Sequence, residues 1–245
     1  MTRLLTNKKR KILFGVKIGI LLLDKTQAPS PKGDIRNALS YDFPVIFKVV
    51  KGATVEKVVN TIDHSLADKF IEASKELIKT AGISAVTTAC GFTAVFQEKI
   101  ANSLNIGVFM SSLLQVPLVS RIIGRNKKVG IITANKKRLT VKHLNAAGID
   151  KNIPICVIGM ENYENFSKML LGKQHPIGDL DKIEEEMANA TNLLLKENKD
   201  VGAIVLECAN MAPYAKTIQK IANIPVFDLI DFIHYIQMSI CKKIY

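Results

Sequence analysis

Ala85-Val86-Thr87-Thr88-Ala89-Cys90-Gly91 and Ala203-Ile204-Val205-Leu206-Glu207-Cys208-Ala209 are one stretch written twice. Each is a short apolar run that ends in a cysteine. Each is followed by a helix-like segment and then, at the same spacing from its cysteine, by Asn105-Ile106-Gly107-Val108-Phe109 or Asn223-Ile224-Pro225-Val226-Phe227. The two copies align without a gap, so Cys90 and Cys208 occupy equivalent positions in two halves. A fainter echo lies upstream of each, where Lys17-Ile18-Gly19-Ile20-Leu21 with Asp24 answers Lys128-Val129-Gly130-Ile131-Ile132 with Asn135. Each half therefore begins with its own strand and carries its own cysteine.

Around these anchors, apolar β-branched runs alternate with helix-period segments. Strands are predicted over 17–23, 45–50, 83–89, 128–133, 153–158, 202–207 and 224–227, and helices over 92–104, 140–147, 161–171, 179–198 and 210–222, with a final helix beyond. Repeated βα units predict an α/β fold of two similar lobes, each a parallel sheet with helices on both faces. A pseudo-twofold axis would relate the lobes, with the active site in the cleft between them. The expected division places residues 1–104 and 224–245 in lobe 1, with residues 1–11 a loose tail, and residues 105–223 in lobe 2. Val55, Val58, Val59 and Ile62 recur at helical spacing and read as packing. Pro117, inside the segment capped by Ser111-Ser112, predicts a kink or an early break. The long polar connection from Lys25 to Asp42, with Pro29, Pro31 and Gly33, has the length at which loops within domains are often functional.

A chain of 245 residues with 48% hydrophobic content can bury one or two cores without staples. Cys90, Cys156, Cys208 and Cys241 stand far apart, in no zinc-like spacing, and read as reduced thiols of a cytoplasmic protein. The apolar run Ile12 to Leu23 is interrupted by Lys17 and ended by Asp24, and no small-residue cleavage site follows it; neither a signal peptide nor a membrane span is expected. The formal charge of +12 is scattered over the chain without a recognition motif, so nucleic acid is not an expected partner, although it can draw in anionic substrates. A homodimer is compatible with all of this.

In parallel α/β sheets ligands bind beyond the carboxyl ends of the strands, which is where both cysteines lie. Each thiol precedes a helix, whose N-terminus is expected to lower the thiol pKa and to hold a substrate carboxylate. Two opposed thiols around an anchored carboxylate suit removal of a proton from one face of a carbon and its return on the other. No Walker loop, Gly-x-Gly-x-x-Gly run or Gly-x-Ser-x-Gly elbow is present, and no cofactor and no metal is expected. Glu207, next to Cys208, would disfavour the Cys208 thiolate and leave Cys90 the readier base, provided its side chain reaches the thiol.

Thr87-Thr88-Ala89-Cys90-Gly91-Phe92, Phe109-Met110-Ser111-Ser112-Leu113-Leu114-Gln115 and Glu207-Cys208-Ala209-Asn210-Met211-Ala212-Pro213-Tyr214 resemble the aspartate/glutamate racemase superfamily, a resemblance that runs from about Lys17 to the C-terminus. It implies a cofactor-independent racemase of the aspartate/glutamate or hydantoin type, an isomerase, with Cys90 and Cys208 as acid/base groups on opposite sides of the substrate α-carbon. It also implies that the last strand and helix return to the first lobe. Where the superfamily commonly has Asn-Thr and Thr after the two cysteines, this chain has Gly91-Phe92 and Ala209, a pattern closer to hydantoin racemases and related decarboxylases and isomerases. Thr87, Thr88, Gly91, Ser111, Ser112, Ala209, Asn210 and Asp24 are the candidate substrate-binding residues; the hydroxyls and Asn210 can equally serve as caps or strand ends. Two alternatives stay open: a one-thiol isomerase or decarboxylase on the same fold, and a protein that binds a small carboxylate without turning it over.

Overall fold

The computed structural model describes residues 12–26, 28–124, 126–171 and 178–242. The expected tail over residues 1–11 lies outside the described residues. The repeat is realised as two four-stranded, all-parallel sheets of identical order. The first holds β1 (Ile18–Leu23), β2 (Val45–Val50), β3 (Ala85–Thr88) and β4 (Gly107–Val108) in the order β2-β1-β3-β4. The second holds β5 (Lys128–Thr133), β6 (Ile155–Gly159), β7 (Val201–Leu206) and β8 (Val226–Phe227) in the order β6-β5-β7-β8. Even the register repeats: Gly19 faces Val86 as Gly130 faces Ile204, and Val86 faces Val108 as Ile204 faces Val226. The helices are α1 (Leu66–Thr80), α2 (Gln97–Ser103), α3 (Val116–Ile123), α4 (Val141–Ala146), α5 (Glu164–Leu171), α6 (Leu180–Glu197), α7 (Ala215–Ala222) and α8 (Leu229–Ile240).

Strand side chains alternate between faces, so each sheet feeds two cores. In the first sheet Leu21, Leu23 and Val86 pack with Phe70 and Leu77 of α1 and Ile100 of α2, while Ile18, Ile20 and Ala85 pack with Leu229 and Ile233 of α8. In the second, Ile132, Ile204 and Leu206 meet Met187 and Leu194 of α6 and Ile218 of α7, while Val129, Ile131, Ala203 and Val205 meet Val116 and Val119 of α3. Each of the larger of these side chains, the Val, Leu, Ile, Phe and Met, taken fully out of water stabilises the fold by roughly 1.5–3 kcal/mol. Gly19 and Gly130 are retained in both copies for close approach: a Cβ would lie 2.9 Å from Leu77 at the first and 2.8 Å from Leu194 at the second.

The halves exchange helices. After β4 the chain crosses to cover the second sheet with α3, and after β8 it crosses back to cover the first with α8. This corrects the expected division in two places. Residues 105–108 do not open lobe 2, because β4 pairs with β3, and the last strand does not return to lobe 1, because β8 pairs with β7. Only the last helix returns. Pro117 produces no kink: the segment breaks there, from a 3-10 turn at Ser112–Gln115 into α3, with the proline in the first turn where its missing N–H costs nothing. Among the described residues no helix is long and apolar enough to cross a membrane.

Candidate active site

Both cysteines stand just past the carboxyl end of a central strand, β3 or β7, at the point where the chain turns into a 3-10 helix, Gly91–Phe96 or Ala209–Tyr214. They open on one cavity of about 230 Å³ between the two halves. The first half contributes Leu23, Arg36, Val55, Val59, Cys90, Gly91 and Phe92; the second contributes Asn135, Glu161, Phe166, Leu170, Glu207, Cys208 and Asn210. The volume is below the roughly 300–1,000 Å³ of sites for drug-sized ligands, which suits a small substrate.

Of the sequence-predicted residues, Cys90, Gly91, Cys208 and Asn210 line this cavity. The others do not, and their polar groups have structural partners. Thr87 Oγ1 donates to the Phe109 carbonyl at 2.6 Å, tying β3 to the segment after β4. Thr88 Oγ1 accepts the Cys90 N–H at 3.2 Å and sits 2.6 Å from Thr93 Oγ1, which fixes the cysteine turn from behind. Ser111 caps the 3-10 turn by accepting the Leu113 N–H, and Ser112 Oγ donates to the Leu206 carbonyl at 2.6 Å, a bond between the halves. Ala209 is buried in the core under α8, and Asp24 accepts the Gly52 N–H at 2.8 Å to hold the turn after β2. Cys156 lies in β6 opposite Gly130, the register position of Ile46 in the first sheet, and Cys241 caps the end of α8.

Sequence reasoning missed Arg36 and Asp34, which the long connection after β1 delivers to the site. Asp34 is 1% exposed; it accepts from Arg36 Nε at 3.1 Å, Ser30 Oγ at 2.8 Å and Asn210 Nδ2 at 2.8 Å. Arg36 Nη2 also donates to the Pro29 carbonyl at 3.0 Å, so the guanidinium is fixed from one edge. The Cys208 thiol donates to Asn210 Oδ1 at 3.7 Å, which completes a chain from Cys208 through Asn210 and Asp34 to Arg36 across both halves. Val55 and Val59, read as packing, are cavity wall. The usable signals were the length of the connection and its arginine, but no spacing rule ties Arg36 to either cysteine.

The thiol electrostatics differ from expectation. Burial, followed by the charge of Glu207, pushes Cys90 up to about 12, against the opposing N–H groups of Phe92 and Thr93. Cys208 is raised well above the ordinary thiol range by burial and then by Glu207, with the Asn210 N–H opposing. The turns that follow the cysteines are 3-10, not α, and their amides do not outweigh desolvation. Glu207 itself is fully buried and lifted to about 7 by that burial, although Thr133 and Ala134 donate to it.

No family model matches the chain. Its sequence is 29% identical over 218 residues to a dimethylsulfoniopropionate lyase of Durusdinium sp. clade D, covering 87% of this chain and 71% of that protein. It is 26% identical over 222 and 219 residues to dimethylsulfoniopropionate lyases 3 and 7 of Emiliania huxleyi (strain CCMP1516), covering 87% of this chain but only 57% and 64% of theirs. Among solved structures it superposes on allantoin racemase from Pseudomonas fluorescens with a TM-score of 0.62 at 16% identity, over 91% of this chain and 90% of that one. A Gly74Cys mutant of arylmalonate decarboxylase gives 0.60 at 13% identity, over 93% and 94%. Aspartate racemase from Picrophilus torridus gives 0.56 at 15% identity, over 91% and 93%. The expectation of an amino-acid or hydantoin racemase, an isomerase, is overturned: the relatives in sequence are named as lyases, and racemases share only the architecture. The chain has the Asp/Glu/hydantoin racemase-like fold.

Proposed function

We propose that this protein is a carbon–sulfur lyase that eliminates dimethyl sulfide from dimethylsulfoniopropionate. The observation that carries the reading is the sequence likeness to dimethylsulfoniopropionate lyases over 87% of the chain, where the likeness to racemases is structural alone. The cavity is consistent with it. Arg36, the one arginine or lysine on its wall among the described residues, suits a single carboxylate. Leu23, Val55, Val59 and Leu170 suit methyl groups, and Phe92 and Phe166 are residues that attract onium cations.

In this substrate a dimethylsulfonium group stands on the carbon β to the carboxyl-bearing end, and the α-carbon between them carries the acidic hydrogen. A thiolate removes that proton, the electron pair of the C–H bond becomes the carbon–carbon double bond, and the C–S bond breaks with its pair leaving on sulfur. The products are acrylate and neutral dimethyl sulfide, and the proton held on the cysteine passes to water. One base suffices, because nothing is returned to the opposite face. Cys90 is the better placed, as its thiolate receives two backbone N–H groups and Cys208 one. The free state of all four cysteines fits a reducing compartment, and we infer a cytoplasmic location.

The test is incubation of the purified protein with dimethylsulfoniopropionate, with headspace gas chromatography for dimethyl sulfide and liquid chromatography for acrylate. Equimolar release of both, absent in a Cys90→Ser, Cys208→Ser double variant, is the expected result. Absence of both products would overturn the reading.

A further inference from the structure

Glu207 is a buried acid that the elimination as written does not use. Its Oε2 accepts from Thr133 Oγ1 at 2.8 Å and from the Ala134 N–H at 3.3 Å, whereas its Oε1, also buried, has no hydrogen-bond partner among the described residues. That free oxygen packs against Gly91, so closely that a Cβ at residue 91 would overlap both Oε1 and the Glu207 carbonyl oxygen. The carboxyl group thus leaves the end of β7 in the second half and lies against the residue that follows Cys90 in the first, while its own chain neighbour is Cys208. No arginine or lysine bonds to it among the described residues, so neither oxygen has a compensating cation.

We propose that Glu207 is a positioning residue whose charge governs the ionisation of both thiols: each thiolate forms more readily when Glu207 is neutral. Glu207 takes up its proton from water and each thiol gives up its own to water, so no direct transfer between Cys90 and Oε1 is involved. The neutral acid keeps Oε2 as the acceptor for Thr133 and Ala134, so the change needs no rearrangement behind it. The titratable and charged groups around it are the Cys90 and Cys208 thiols, Arg36 with Asp34, and Glu161 on the cavity wall, with His143 behind Phe92. The electrostatics run the same way: Glu207 holds its proton up to about pH 7, and its charge is among the causes that raise both cysteines. The proposal concerns the thiols themselves and stands whether or not the substrate is a sulfonium.

It is tested without substrate, by the rate at which iodoacetamide alkylates Cys90 between pH 5.5 and 10, read by peptide mass mapping in the parent, Glu207→Gln and Thr133→Val. Removing the charge should move the Cys90 curve of Glu207→Gln to lower pH by at least about one unit, roughly tenfold faster alkylation at a fixed pH below the midpoint. Thr133→Val removes a donor to the carboxylate, favours the neutral acid, and should shift the curve by less in the same direction. A purely structural role for Glu207 would lower thermal stability and leave the alkylation curve in place. Superimposable curves for parent and a Glu207→Gln variant of native circular dichroism overturn the proposal; should that variant not fold, an unmoved curve in Thr133→Val overturns it.

Discussion

The first half closes its cysteine turn with hydroxyls, the second with an acid and an amide. Around Cys90, Thr88 accepts the cysteine N–H, and Thr93 Oγ1 lies within hydrogen-bond distance of two carbonyls, those of Cys90 at 2.6 Å and Met110 at 2.7 Å, with one proton to give to either. Around Cys208 the equivalent strand end carries Glu207, and the thiol is engaged by Asn210, itself bound to Asp34 of the other half. Strand order and the register of the central pairs are the same in both, but the cysteine φ is −151° at Cys90 and −81° at Cys208, and while burial and Glu207 raise both thiols, two amides oppose the rise at Cys90 and one at Cys208. Duplication supplied two thiols, and divergence of their neighbours made them unequal. The largest expected effect follows from that inequality. Cys90→Ser should lower the rate of dimethyl sulfide release by on the order of 10³-fold, within the range for a lost general base. Cys208→Ser should lower it by clearly less. Equal losses in initial-rate assays of the two variants would break the comparison and return the site to a symmetric pair.

The two connections that follow the first strand of each half make a second contrast. Between β5 and β6 the chain forms α4, started by a capping box in which Thr140 and His143 satisfy each other's end of the helix. Between β1 and β2, Pro29, Pro31 and Gly33 leave the chain no α-helix, only a 3-10 turn at Ala38–Ser40, and the loop wraps Asp34 and presents Arg36 to the cavity. Among the described residues, only the first half therefore brings a cation to the site. Arg36→Met should raise KM for the carboxylate substrate roughly tenfold to a hundredfold, the equivalent of about 1.5–3 kcal/mol for a lost charged hydrogen bond, with kcat less affected. Arg36→Lys should recover part of this, since a lysine supplies the charge without the planar fork. An unchanged KM in steady-state kinetics of Arg36→Met would remove Arg36 as the anchor.

The sequence made the doubled architecture legible because internal repetition constrains both the elements and their register: Lys17 to Leu21 against Lys128 to Ile132, and the two cysteine strands, forced two sheets of one order. The boundary between halves was misplaced for a physical reason. Asn105 to Phe109 reads equally well as the end of one unit or the start of the next, and only hydrogen bonding to β3 decides. Cysteine placement was legible for the same reason as the repeat. Ser111 and Ser112 looked like ligand groups, but Ser112 finds its acceptor on Leu206, far along the chain, and such a partner leaves no local trace. Arg36, Glu161 and Phe166 reach the cavity from segments without repeat or motif, so only the tertiary structure collects them. The choice between returning a proton and expelling a leaving group depends on what the far wall of the cavity accepts, which no cysteine motif encodes.

The smallest effect on activity, and a sharper view of how the halves differ, comes from the caps that follow the last strand of each. In the first half Ser111, a neutral residue, caps the turn after β4; in the second, Asp228 caps α8, accepting the Asp231 N–H at 2.9 Å while only 6% exposed. Burial, then the charge of Asp231, lifts Asp228 to about 7, although the N–H groups of Asp231 and Ile230 oppose the rise. Its carboxyl ionises at lower pH in the unfolded chain than in the folded one, so the folded state binds more protons between about pH 4 and 7. Stability contributed by this group is complete below that window, falls as pH rises through it and levels off above. Glu207, lifted to about 7 by burial, adds in the same sense. The urea midpoint should accordingly be higher at pH 5 than at pH 8, by up to about 5 kcal/mol in unfolding free energy, at about 1.4 kcal/mol per pH unit for each of the two groups between pH 5 and 7. Asp228→Asn keeps a good cap and removes one of the two titrations, so its midpoint should vary less with pH while kcat/KM at neutral pH stays near that of the parent. A midpoint that rises from pH 5 to 8, or a variant whose pH slope matches the parent's, would show that the charged cap of the second half carries no such linkage.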